Sequence, residues 1–154
     1  MRLGDFIAPE AVIPSLKAKN KKQLLQDLSA RAAVLTGLEE RYIFDVLLQR
    51  ERLGSTGLGQ GIAIPHGKFA GLKRIVGLFA RLAEPIDFEA VDGEPVDIVF
   101  LLLAPEGAGA DHLKALARIS RLLREGSAVE KLRASKDAAA LYAVLTEEAA
   151  SHAA

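Results

Sequence analysis

The chain has 154 residues, half of them hydrophobic and 26% charged, the size and balance of one soluble domain able to bury about 70% of its unfolded surface. Twenty lysine and arginine residues offset twenty aspartate and glutamate residues, so the zero formal charge gives no reason to expect a nucleic-acid or membrane-surface partner. Cysteine is absent, which excludes disulfides, thiolate chemistry and cysteine-based zinc sites.

The N-terminal stretch MRLGDFIAPEAVIPSLKAK lacks the uninterrupted apolar run of a signal peptide. The longest purely apolar run, IVFLLLA at 98–104, is too short to span a bilayer. A cytoplasmic protein without membrane insertion is expected. VIPSL (12–16) predicts a first strand. A helix follows, capped by Asn20 with Gln23 three residues on, striped by Leu24, Leu25, Leu28, Ala32 and Leu35, and stopped by Gly37. A second helix is expected from about Glu39 to Arg52, with Ile43, Val46 and Leu47 inward and Gly54 closing it.

Beyond it, the glycine-dense GSTGLGQG (54–61) reads as a loop and IAI (62–64) as a short strand ending at Pro65. RIVGLFARL (74–82) predicts a longer strand. EPIDFEAVDGEPVD reads as turn chemistry around Asp92-Gly93. VDIVFLLLA is so continuously apolar that it belongs at the centre of a sheet covered on both faces. Asp111 is expected to cap a helix burying Leu113, Leu116, Ala117, Ser120 and Leu123. Two shorter helices are expected near 127–134 and 136–148, the second capped by Ser135, and EEAASHAA reads as a frayed tail carrying His152. Strands alternating with helices predict a single α/β domain, residues 1–148, with a mixed β-sheet flanked by helices on both faces and a flexible tail at 149–154.

Three features hold candidate chemistry. His66 sits at an expected strand-to-loop exit, a place where α/β sheets present ligand-binding side chains, although a turn histidine capping an apolar strand is an equally simple account. Gly57, Gly59, Gly61 and Gly67 either form a tight irregular loop or clear space for another molecule's backbone. His112 falls in the first turn of its helix, where unpaired N–H groups favour a neutral imidazole and attract an anion; an ordinary surface histidine fits as well. Arg50, seven residues after Ile43, either complements its helix C-terminus or reaches into the site to hold a phosphate or carboxylate. Ser55 and Thr56 are hydroxyl donors to the same place or turn formers. GSTG is no nucleophile elbow, no Walker loop is present, and His66 and His112 lack zinc-helix spacing.

The segment RERLGSTGLGQGIAIPHGK (50–68) resembles the active-site segment of enzyme IIA domains of the phosphoenolpyruvate phosphotransferase system. The fructose, mannitol and nitrogen-regulatory group is the matching one, and the nitrogen-regulatory type is nearest. The likeness continues through residues 77–125, so it covers most of the chain. It implies a mixed sheet between helices, with His66 as phosphoryl acceptor through Nε2, His112 as second active-site histidine and Arg50 as phosphate support. Ser55, Thr56, Gly57 and Gly67 would form the phosphate-binding loop. The implied donor is an HPr-like phosphocarrier, and the implied downstream partners are regulated proteins or a separate IIB. No metal or organic cofactor is implied. An apolar docking patch with contributions from Tyr42, Leu58 and Phe69 is expected around the site.

Overall fold

Asn20 begins the first helix with its side chain, and Gln23 reaches back to the residue before Asn20. In the computed structural model, which describes residues 1–147, its side chain accepts the Gln23 N–H at 2.8 Å, while the Gln23 side chain accepts the Lys19 N–H at 2.7 Å. The helix α1 runs Lys21–Thr36 and stops where Gly37 turns to φ 77°, a left-handed conformation that glycine adopts without steric cost. Helix α2, Glu40–Arg52, buries Ile43, Leu47 and Glu51. One residue per turn therefore faces inward, and the stripe ends on a carboxylate, with Arg50 beside it half-buried.

Six strands make one mixed sheet. They are β1 (Val12–Leu16), β2 (Gly57–Gly59), β3 (Ile62–Ala63), β4 (His66–Phe69), β5 (Val76–Ile86) and β6 (Val96–Pro105), in the order β1-β5-β6-β3-β2 with β4 also on β6. β6 runs antiparallel to β5 and parallel to both β3 and β4. Its residues alternate between two cores. Val99, Leu101 and Leu103 join α1 and α2, whereas Ile98, Phe100 and Leu102 join residues of α3 (Ala110–Arg124), α4 (Gly126–Ala134) and α5 (Ala138–Thr146). Helices thus cover both faces, as expected, and the apolar run occupies the sheet centre.

Several local expectations give way to tertiary contacts. The glycine loop contains β2, because the β2–β3 turn folds Gly57 opposite Ala63. The sequence reading puts His66 at a strand exit; instead it opens β4. β3 and β4 keep one unbroken register on β6, Ile62 opposite Ile98 and His66 opposite Leu102, so they form one strand interrupted at Ile64-Pro65. β5 extends to Ile86, past the expected turn onset, with a register shift between Arg81 and Ile86 that accommodates Pro85, which has no ladder donor. α3 starts with Gly109 as cap rather than Asp111, and its inward face is His112, Ala115, Ile119 and Leu123. Leu113, expected inside, is 65% exposed. α5 is capped by Asp137, whose side chain accepts the Ala140 N–H at 2.7 Å, and Ser135 instead ends α4. The expected tail at 149–154, with His152, lies outside the described residues.

Leu101 is fully buried between β5 and the α1–α2 layer. Replacing it with alanine removes packed atoms and leaves a cavity, so Leu101→Ala is expected to lower unfolding stability by about 2–5 kcal/mol, measured by urea denaturation.

Candidate functional site

Pro65 interrupts the strand just before His66, and this break shapes the site. The Ile64 N–H still extends the β2–β3 pairing by donating to the Thr56 carbonyl at 3.1 Å, and the Pro65 carbonyl accepts the Leu102 N–H at 3.0 Å. His66 therefore enters β4 with its backbone held, and its imidazole folds back so that Nδ1 lies 2.8 Å from the Ile64 carbonyl oxygen. A carbonyl oxygen only accepts, so Nδ1 carries the hydrogen and, in the neutral ring, Nε2 keeps a free lone pair.

The pairing of His66 with Leu102 turns its side chain to the sheet face covered by α3. There it meets His112, with ring centroids 5.7 Å apart and planes inclined at 47°. His112 heads the buried stripe of α3 and is only 8% exposed. Its Nε2 is buried without a hydrogen-bond partner, an arrangement that is costly unless a ligand or water completes it.

Arg50 and the following loop approach His66 from α2. The Arg50 guanidinium donates to the Gly54 carbonyl at 2.9 Å, and its charge is felt at His66. Ser55 donates its hydroxyl hydrogen to the Phe88 carbonyl at 2.9 Å, and Thr56 donates its own to Glu51. Both hydroxyl hydrogens are thus committed within the protein, the turn-forming role of the two considered for these residues. Of the two accounts of the glycines, the contacts at Gly57 and Gly67 favour the tight loop. A Cβ on Gly57 would lie 2.8 Å from Ala90 Cβ, and one on Gly67 would lie 2.9 Å from Val46 Cγ1. Their missing side chains admit this chain's own atoms rather than an incoming molecule. Of the residues considered for an apolar rim, Phe69 is fully buried core and Tyr42 packs edge-on against it at 5.6 Å, whereas Leu58 is 49% exposed.

The model of the phosphoenolpyruvate-dependent sugar phosphotransferase system EIIA 2 family matches residues 5–148. The chain belongs to this family. It is 66% identical to a nitrogen regulatory protein of Bradyrhizobium diazoefficiens over 94% of this chain and 95% of that one. A nitrogen regulatory protein of Klebsiella oxytoca is 37% identical, with 96% of this chain and 91% of that one covered. Among solved structures, nitrogen regulatory protein IIA-Ntr from Neisseria meningitidis superposes with a TM-score of 0.89 at 37% identity, covering 94% of this chain and 99% of that one. The protein is of the nitrogen-regulatory IIA type.

The electrostatics of this IIA domain favour the neutral form of both imidazoles. Burial lowers the His66 pKa below its ordinary 6.5; the Ile64 carbonyl opposes this, Arg50 lowers it further and Glu51 raises it. His112 is lowered chiefly by burial, then by the charges of His66 and Lys68. Lys68 and Glu51 are the neighbours that motif reading passes over. Period-two alternation puts Lys68 on the same face of β4 as His66, and Glu51 continues the Ile43, Leu47 spacing, so both had a sequence signal. No helix among the described residues is long and apolar enough to cross a membrane, and none of their His, Asp and Glu side chains form a group of three placed to hold a metal ion.

A lowered folded-state pKa means that the unfolded chain takes up these protons first on acidification. The stability linked to the neutral histidines is therefore present above about pH 6.5 and lost as pH falls from there toward the lowered folded values. Both imidazoles are expected to titrate below 6.5 by NMR, and His66→Ala is expected to flatten the loss of stability between pH 7 and 5.

Proposed function

We propose that the protein is a phosphoryl carrier that accepts a phosphoryl group on His66 Nε2 from an HPr-like phosphocarrier and signals its phosphorylation state to protein targets. The observation that carries this reading is the His66 imidazole itself, with Nδ1–H bound to the Ile64 carbonyl, Nε2 free and a second imidazole beside it. Nε2 attacks the donor phosphohistidine in line; the new P–N bond forms as the donor's P–N bond breaks, and that bond's electron pair returns to the donor ring. His66 keeps its Nδ1 hydrogen throughout. The positive charge its ring acquires is stabilised by the Ile64 carbonyl, which already favours the charged ring.

The phosphoryl oxygens need donors. Arg50 supplies a guanidinium, and the unpartnered His112 Nε2 supplies an N–H in the tautomer that protonates it. The neutrality of the unphosphorylated pair favours nucleophilic attack near pH 7. The names of the relatives support a regulatory role over a sugar-specific IIA passing phosphate to a separate IIB. In this reading, residues 1–148 are the functional domain, the protein works in the cytoplasm, and its partners are proteins that dock transiently over a modest area.

Incubation with phosphoenolpyruvate, enzyme I and either the nitrogen-branch or the sugar-branch phosphocarrier tests this. The expected result is an acid-labile, base-stable label on His66, faster from the nitrogen-branch donor and abolished in His66→Ala. Arg50→Ala is expected to slow labelling about 10²-fold, the scale of losing one donor to a developing anion. Labelling of His66→Ala at the wild-type rate overturns the assignment. An unlabelled wild-type protein points instead to a module that only binds anions or proteins.

A further inference from the structure

Glu51 is a buried carboxylate whose role the carrier chemistry leaves unassigned. Its side chain is 3% exposed and lies 3.0 Å from the Lys21 ammonium, which also sits over the Phe88 ring at 4.5 Å. Oε1 accepts the Thr56 N–H at 3.0 Å and Oε2 accepts the Thr56 hydroxyl hydrogen. The carboxylate thus grips one residue by both its backbone and its side chain. Thr56 is itself 5% exposed, so both bonds to the carboxylate lie away from solvent.

From Thr56 the contacts continue to the site in two steps. The Thr56 carbonyl accepts the Ile64 N–H at 3.1 Å, and the Ile64 carbonyl accepts the His66 Nδ1–H at 2.8 Å. Every link is short and polar, and the chain runs from the end of α2, past the start of β2, to the imidazole. Meanwhile Arg50, the preceding residue, holds the Gly54 carbonyl at 2.9 Å. One helix end therefore clamps both sides of the turn leading into β2.

We propose that Glu51 is a positioning residue for His66: through Thr56 it fixes the Ile64 carbonyl where that oxygen selects the Nδ1–H tautomer and leaves Nε2 bare. The inference rests on the carrier reading for its consequence, but its structural content is a tautomer preference that exists without any phosphoryl donor. Outer partners that orient a functional histidine characteristically contribute 10–100-fold to its activity.

The test uses Glu51→Gln and Thr56→Val in the full chain, with folding checked by circular dichroism. Histidine ¹⁵N NMR of the unphosphorylated proteins above pH 7 reads the tautomer directly. Wild type is expected to show Nδ1 protonated and Nε2 bare at His66, with the Nε2–H tautomer growing in both variants. Phosphoryl acceptance from the phosphocarrier is expected to slow roughly 10–100-fold, and its acid limb to move with the changed His66 titration. Thr56→Ser, which keeps the hydroxyl, is expected to recover both readouts relative to Thr56→Val. If Glu51→Gln does not fold, the two Thr56 variants decide the matter. A folded variant with an unchanged tautomer overturns the proposal whatever its rate, as does a shifted tautomer with an unchanged rate. Failure of wild-type His66 to accept phosphate instead overturns the carrier reading and leaves the tautomer result standing.

Discussion

Every layer of this protein is built on β6. Val96 and the seven residues Ile98–Ala104 are fully buried, and each large apolar side chain there contributes about 1.5–3 kcal/mol relative to exposure. Because alternate residues serve opposite faces, one strand joins α1 and α2 to α3, α4 and α5. The same strand also carries the site, since it templates β3 and β4 in a single register. His66 faces His112 because Leu102, its partner on β6, faces the α3 layer.

The proposed function depends on a defect in that regular frame. A continuous strand through residues 62–69 would keep its backbone groups in the ladder. The Pro65 nitrogen has no hydrogen to donate, and at this break the Ile64 carbonyl turns to the His66 ring. The neighbouring helix ends then supply what the sheet cannot. α2 brings a guanidinium from Arg50 and a buried carboxylate from Glu51; α3 brings a second imidazole at its N-terminal turn. Burial favours the neutral form of both rings, and neutrality is the state in which one imidazole nitrogen is nucleophilic.

Much of this was legible in order along the chain. VIPSL forms β1 over 12–16, and the Asn20 and Gly37 ends of α1 are made by side-chain and backbone chemistry within a few residues. The site residues His66, His112 and Arg50 stand out by type and motif order. The errors have two sources, contact between distant segments and local capping choices such as Asp137 in place of Ser135. Asp111 is a good cap by composition, yet Gly109 takes that place, and the face of the helix packed inward holds His112 rather than Leu113. Composition left the glycines as a tight loop or as clearance for a visitor, and Ala90 and Val46 come from elsewhere in the chain to fill the space at Gly57 and Gly67.

By itself the sequence determined the α/β class, the central strand, the family and the candidate site residues His66, His112 and Arg50, because periodicity, capping and motif order are local properties. The tertiary structure alone decided which imidazole nitrogen is free, that Glu51 is buried against Thr56 and Lys21, and that the two histidines meet at 5.7 Å. The histidine pair and the Lys21–Glu51 contact join segments that only the assembled fold brings together. The His66–Ile64 and Glu51–Thr56 bonds span two and five residues and depend on a course of the backbone at Pro65 and after α2 that periodicity does not encode.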